Sequence, residues 1–168
     1  KVIDLSKEKL KDLQKTFGNN NIEYIESTEL SIEEALKVSD LVIGSVYVLG
    51  KQAPKVVTNN MLRKMKQGAV IVDISIDQGG CFESSIPTTH DNPTYVKDGV
   101  IHYCVTNMPG AVPLTATEAL NKATLPYILE LANKGVDLAL KENIHLANGL
   151  NIKNGKVVHS SVREALSL

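Results

Sequence analysis

Asp40-Leu41-Val42-Ile43-Gly44-Ser45-Val46-Tyr47 and Ala69-Val70-Ile71-Val72-Asp73-Ile74 are two near-continuous aliphatic, β-branched runs. Runs of this kind, with no polar alternation, mark strands covered on both faces in a parallel sheet. Between them Met61, Leu62 and Met65 recur at helical spacing and Gly68 ends the pattern, so a helix is predicted as the crossover. Val100-Ile101-His102-Tyr103-Cys104-Val105 is a third candidate strand.

Working toward the N-terminus, Lys1 to Leu5 is a short apolar stretch holding Asp4, and Ser6 after it is a good helix N-cap. Leu10, Leu13 and Phe17 then follow helical spacing, with Gly18 as the expected C-cap. Ile22 to Ile25 alternates like a strand, and Ser31-Ile32-Glu33-Glu34 fits a capping box leading into Ala35, Leu36 and Val38. Strands alternating with short helices imply βαβ units in a doubly wound sheet, whose ligands lie at the carboxyl ends of the strands.

Beyond Met108 the character changes. Thr115-Ala116-Thr117-Glu118 reads as a capping box for a long helix with Leu120, Ala123, Tyr127, Ile128 and Leu131 on one stripe, and Pro126 inside it as a candidate kink. Gly135 breaks that helix and a second helical segment runs toward Asn143. Asn154-Gly155 between two short apolar stretches signals a type I′ hairpin, and a last short helix is expected near Ser161. Two domains are therefore expected, residues 1–107 as a partial dinucleotide-binding domain and 108–168 as a connecting helix with a C-terminal segment.

Composition narrows the function classes. The 168 residues are 43% hydrophobic, enough for a buried core, and the formal net charge is -1 with basic residues spread along the chain. That gives no electrostatic footprint for nucleic acid or an anionic membrane, and favours a small molecule or a protein as partner. No apolar run approaches the roughly 20 residues that cross a bilayer, and Lys1-Val2-Ile3-Asp4 does not resemble a secretory signal, so a cytoplasmic protein is expected. Cys81 and Cys104 lie far apart and outside any C-x-x-C pair, which points to buried thiols rather than metal or redox chemistry.

Chemistry has three candidate locations. Asp4, at a strand end, suits a carboxylate that accepts ribose hydroxyls and repels a 2′-phosphate, though an aspartate there is equally a common turn residue. A glycine fingerprint belongs about 20 residues before such an acid, and this chain starts at Lys1 without it. Asp77-Gln78-Gly79-Gly80 follows the Ile74 strand, where paired glycines let backbone approach a ligand while the acid projects into a cleft. A plain glycine turn with a solvated aspartate explains the same residues. Val46 to Lys55, with Gly50 and Pro54, exits another strand and can pack on a nucleotide ring or simply turn; His90 sits in the long polar loop 84–93.

Five stretches carry a resemblance: Asp40-Leu41-Val42-Ile43-Gly44, Gln52-Ala53-Pro54-Lys55, Val72-Asp73-Ile74-Ser75-Ile76-Asp77-Gln78-Gly79-Gly80-Cys81-Phe82-Glu83, Pro87-Thr88-Thr89-His90, and Tyr103 through Pro113. Together they resemble alanine dehydrogenase over essentially the whole chain. The related transhydrogenase α subunits usually differ after the shared glycines. The resemblance implies an α/β fold: an incomplete Rossmann-type doubly wound parallel sheet, its first strand and Gly-rich loop missing, plus a C-terminal helical return segment. It also implies NAD-dependent oxidation of L-alanine to pyruvate and ammonia. Asp77 matches the catalytic aspartate and Asp4 the ribose-binding acid. Lys9 matches a basic residue near the adenosine end, and Ser27, Val46, Tyr47, Ile74, Asn107 and Met108 match positions lining the cofactor pocket. The lysine, arginine and histidine that handle substrate belong in that family to an N-terminal substrate domain, and the family is typically hexameric. Ile86 and Leu114 depart from it, standing where arginine and a basic residue are usual.

In a sheet ordered 3-2-1-4-5-6 the absent first strand is central. Three remedies are expected: a strand from another copy, a changed register joining the flanking strands, or an upstream polypeptide bound alongside. Alone, the chain is expected to bind NAD weakly and to be inactive. A non-catalytic oligomerising remnant and a transhydrogenase cofactor domain stand as the alternatives.

Overall fold

Local capping explains how the chain starts. Strand β1 (Val2–Asp4) ends on Asp4, whose Oδ1 accepts the Ser6 N–H at 2.7 Å. Ser6 then caps helix α1 (Lys7–Phe17) by accepting from Lys9 N–H, and Gly18, at φ 71°, closes it. These contacts belong to a computed structural model that describes residues 1–167.

Strand β2 (Tyr24–Glu26) lies parallel to β1, and α2 (Glu29–Val38) follows. Here the sequence reading needs correction, because α2 is capped by Thr28 and not by Ser31. Thr28 has extended backbone, its hydroxyl accepts Ser31 N–H, and the Ser31 hydroxyl accepts Thr28 N–H in return. Ser31 thus occupies the third position of the first turn.

Strands β3 (Leu41–Gly44) and β4 (Val70–Asp73) run parallel, in register from Leu41 opposite Val70 to Gly44 opposite Asp73. The crossover contains one helical turn, α3 (Asn59–Leu62), rather than a helix reaching Gly68. Lys64 and Met65 bond three residues back, which tightens the chain out of the α-helix.

Two further strands complete this sheet: β5 (Thr94–Lys97) and β6 (Val100–Tyr103), in the order β3-β4-β6-β5. β6 is parallel to β4, whereas β5 is antiparallel to β6, so the sheet is mixed and not purely parallel. Asp98 and Gly99 both have positive φ, as the two central residues of a type I′ turn require.

β1 and β2 form a sheet of their own. The changed register that would bring β1 onto β3 is not adopted, since β1 pairs with β2 and β3 with β4. Among the described residues no strand bonds the other side of β3, and Leu41 and Ile43 are 56% and 59% exposed there. The core of this unit lies around Leu62, Ile71, Phe82 and Val100, each at most 1% exposed.

The chain divides into two compact units: Lys1–Tyr47 with Ala53–Thr106, and Val48–Gln52 with the chain from Asn107 onward. In the second, α4 (Pro113–Lys134) starts two residues before the expected Thr115, without a side-chain cap. Proline at the first helical position supplies the fixed φ that a helix start needs. α4 continues through Pro126 to Gly135. α5 (Val136–Glu142) and α6 (Ile144–Asn148) follow, the latter capped by Asn143. β7 (Ile152–Lys153) and β8 (Lys156–Val157) form a hairpin on Asn154-Gly155, both at positive φ, before α7 (Ser160–Ala165).

Candidate functional site

A buried carboxylate must be saturated with hydrogen bonds to stay ionised away from water. Asp73, the last residue of β4 and 0% exposed, meets that demand with nearby main chain. Its Oδ1 accepts Ser75 N–H at 3.0 Å, and its Oδ2 accepts Cys81 N–H at 2.8 Å and the Ser85 hydroxyl at 2.5 Å. Asp73 therefore caps a 3-10 turn, Ile74–Gln78, which carries Asp77 to the surface.

The bend after that turn needs its glycines. Gly79 has φ 90° and Gly80 φ 75°, and a Cβ on Gly80 would stand 2.7 Å from Asp73 Oδ2 and 2.8 Å from Ser85 Cβ. On the other flank, Ala53 N–H bonds to Gln78 O and Val56 N–H to Cys81 O. The Lys55 ammonium donates to the carbonyls of Gly79 and Gly80 at 2.5 and 2.8 Å.

The exit of β3 is tied to the same turn. The Ser75 hydroxyl accepts Val46 N–H at 2.8 Å and donates to Val46 O at 2.9 Å, extending the β3–β4 ladder by a side chain acting as a peptide group. Gly44 lets the loop approach, because a Cβ there would lie 2.4 Å from both Cys81 Sγ and Phe82. Tyr47 and Ile74 are 67% and 51% exposed beside this exit and turn. Exposed apolar and aromatic groups next to a carboxylate can receive a planar ring.

Of the residues singled out in the sequence, Val46, Ile74 and Asp77 come together at the carboxyl ends of β3 and β4, and Tyr47 follows Val46 directly. Asp4, Ser27 and Lys9 form a second group at the ends of β1 and β2. Ser27 N–H bonds to Asp4 O at 3.0 Å, and Ser6 links the Asp4 carboxylate to Lys9 N–H. Asp4 is half-buried with its carboxylate oriented by Ser6 N–H, while Lys9 is exposed. Asn107, at φ 53°, and Met108 belong to the second unit, where they lead into a 3-10 turn, Met108–Ala111. His90 is exposed on its loop.

Sequence reading missed the groups that fix the loops. His102 is fully buried, its Nε2 2.8 Å from Ser84 Oγ, its Nδ1 2.9 Å from Val100 O, and its ring stacked on Tyr95 at 4.8 Å. Burial holds its pKa below the usual histidine value, so it stays neutral. The Ser84–His102 distance resembles a nucleophile and base, but both side chains are sealed in the interior. Burial, then the Asp73 charge, pushes the Cys81 thiol up to about 12 and keeps it unreactive. Among the described residues no cluster of histidine, cysteine and carboxylates is placed to hold a metal ion, and no helix is long and apolar enough to cross a membrane.

The model of the family "Alanine dehydrogenase/PNT, C-terminal domain" matches residues 1–160. Alanine dehydrogenase of Halomonas elongata is 51% identical over 167 residues, 99% of this chain and 45% of that protein. Alanine dehydrogenase 2 of Staphylococcus aureus strain USA300 is also 51% identical, with the same coverage of each chain. A solved L-alanine dehydrogenase superposes with TM-score 0.82 at 45% identity, covering 98% of this chain and 45% of that one. A transhydrogenase from Sinorhizobium meliloti is less close, at TM-score 0.66 and 21% identity over 95% of this chain and 42% of that one, a likeness of fold alone. The chain thus spans under half the length of the relatives it matches.

Proposed function

Since the chain belongs to the alanine dehydrogenase/PNT C-terminal domain family, we propose that it supplies the cofactor side of an NAD-dependent L-alanine dehydrogenase. The observation that carries this reading is the Asp73 turn, which presents the exposed Asp77 carboxylate at the end of a parallel strand. Doubly wound sheets bind their ligands at such strand ends.

The residues suit a dinucleotide. Asp4 has an oriented carboxylate at the end of β1, fit to accept ribose hydroxyls and to disfavour a 2′-phosphate. Lys9 and Ser27 lie beside it at the adenosine end, and Val46, Tyr47 and Ile74 offer apolar surface to the nicotinamide end. By family position we also assign Asn107 and Met108 as cofactor-binding residues.

The net reaction converts L-alanine, NAD⁺ and water into pyruvate, ammonium, NADH and a proton. Asp4, Lys9, Ser27, Val46, Tyr47 and Ile74 would hold NAD, which when bound would supply the acceptor for the hydride leaving the alanine Cα. Asp77 acts on the remaining protons: its carboxylate holds the amine nitrogen during oxidation and accepts a proton from the water that hydrolyses the imine. By this reading the substrate carboxylate is held by basic residues of a separate domain, and the working enzyme is a cytoplasmic homo-oligomer.

The test mixes the 168-residue chain with the part of the Halomonas elongata enzyme that it does not match, and follows NADH formation from L-alanine. A rate that requires both pieces is expected, and its absence sinks the reading. The exposed Leu120, Leu125, Ile128 and Leu129 of α4 favour the second reading, a non-catalytic oligomerising module. That reading requires an assembly visible by light scattering together with no turnover.

A further inference from the structure

The bend that presents Asp77 is gripped from two sides by different chemistry. On the inner side Asp73 draws in donors, the Cys81 N–H and the Ser85 hydroxyl. On the outer side the two carbonyls that point away from Asp73's reach, those of Gly79 and Gly80, converge on one ammonium, that of Lys55. The grip is specific in direction: a carboxylate cannot hold carbonyls, and an ammonium cannot hold N–H groups.

Lys55 stands where such a cation can be effective. Its backbone neighbours are fixed to the same loop, through Ala53 N–H to Gln78 O and Val56 N–H to Cys81 O, so its side chain starts from a fixed base. Gly79 and Gly80 are the most conformationally free residues of the bend, and both hold positive φ. Charge-assisted bonds to both carbonyls remove that freedom. Lys55 is itself exposed, so replacing it opens no cavity in the core.

We propose that Lys55 is a positioning residue, setting the place of the Asp77 carboxylate by holding the Gly79 and Gly80 carbonyls against the pull of Asp73. The inference rests on the assignment of Asp77 given above, but the clamp itself can be measured without turnover.

Two measurements test it. In the 168-residue chain, amide hydrogen exchange is compared between wild type and Lys55→Met. The Gly79, Gly80 and Cys81 amides are expected to exchange at least about 10-fold faster in the variant, with the β4 amides unchanged. Equal rates at the bend overturn the clamp. The same substitutions are then placed in a fusion in which residues 1–168 replace the matching stretch of the Halomonas elongata enzyme. Lys55→Met is expected to lower kcat by about 10- to 100-fold while KM for NAD stays within about twofold, since misplacing a reacting group costs rate more than binding. Lys55→Arg, which can also span both carbonyls, is expected to restore most of that loss. A Lys55→Met kcat within twofold of the parent overturns the proposal. So does an arginine variant as slow as the methionine one, or a rate loss that tracks a fall in melting temperature. If the parent fusion makes no NADH, the functional reading falls, while the exchange measurement still decides the clamp.

Discussion

Replacing Gly80 by alanine puts a number on the buried carboxylate beneath the bend. The substitution meets two obstacles, a φ of 75° and a Cβ that would sit 2.7 Å from Asp73 Oδ2. The left-handed backbone costs an L-residue about 1–2 kcal/mol. The contact cannot be relieved by a flexible tip, because the same Oδ2 is held by Cys81 N–H and the Ser85 hydroxyl. Displacing it sacrifices a hydrogen bond to a charged group, about 1.5–3 kcal/mol. The total, about 2.5–5 kcal/mol, is a large share of the roughly 5–15 kcal/mol that holds a domain together. Gly68 is the internal control, since it has φ 81° with nothing within 4 Å of its Cβ position. Urea unfolding of the chain, followed by far-ultraviolet circular dichroism, should therefore show Gly68→Ala losing only the backbone term. Gly80→Ala should lose about 1.5–3 kcal/mol more. Equal losses in the two variants would refute the view that Asp73 is packed against the bend and saturated there.

Other consequences can be checked independently. His102 is neutral in the fold because burial lowers its pKa below 6.5; Lys97 opposes its protonation, while Asp73 and Asp98 favour it more weakly. The unfolded chain therefore binds the proton first, and stability should fall as pH drops below about 6.5, with the slope reduced in His102→Gln by urea titration across that range. Cys81 and Cys104 are both buried and free, so the folded chain should react negligibly with a thiol reagent at mild alkaline pH and fully in denaturant; rapid native labelling would mean that the bend opens. Asp77→Asn in the Halomonas fusion should lower kcat by about 10²- to 10⁴-fold, the range for loss of a proton-handling group, and an unchanged rate would remove Asp77 from the mechanism.

What could be read from the sequence depended on how far apart the interacting residues lie. Ser6 with Lys9, Gly18 after Phe17, and Asn154-Gly155 each involve partners within a few positions, and each was legible. The β5–β6 hairpin was missed even though Asp98-Gly99 is an equally local signal, because the polar loop of the sequence reading stops at Pro93 and Thr94–Lys97 is given no element. The α2 start was placed one turn late for a different reason. Ser31-x-x-Glu34 has the stronger side chain at its third position, yet the Ser31 hydroxyl is already engaged with the main chain of Thr28 and Glu26, leaving Thr28 as the cap.

At the candidate site the same distinction separates what presents a side chain from what restrains it. Asp4 and Asp77 were legible because each follows an apolar strand, and the parallel-sheet rule assigns ligands to strand ends. Asp73 with Ser85, Ser84 with His102, and Lys55 with Gly79 are 12, 18 and 24 residues apart, and no periodicity links them. Asp73 ends an apolar strand run, and only its burial shows that its carboxylate must find partners inside the fold. A burying environment forces Asp73, Ser84 and His102 to find their partners elsewhere in the chain, so residues that sequence leaves inconspicuous are the ones that bind distant loops together. Substitutions at Asp73, Lys55 or His102 should therefore disturb loops far from them in sequence, whereas the Asp4 carboxylate, bonded to Ser6 N–H two residues on, can change with only local structural effect.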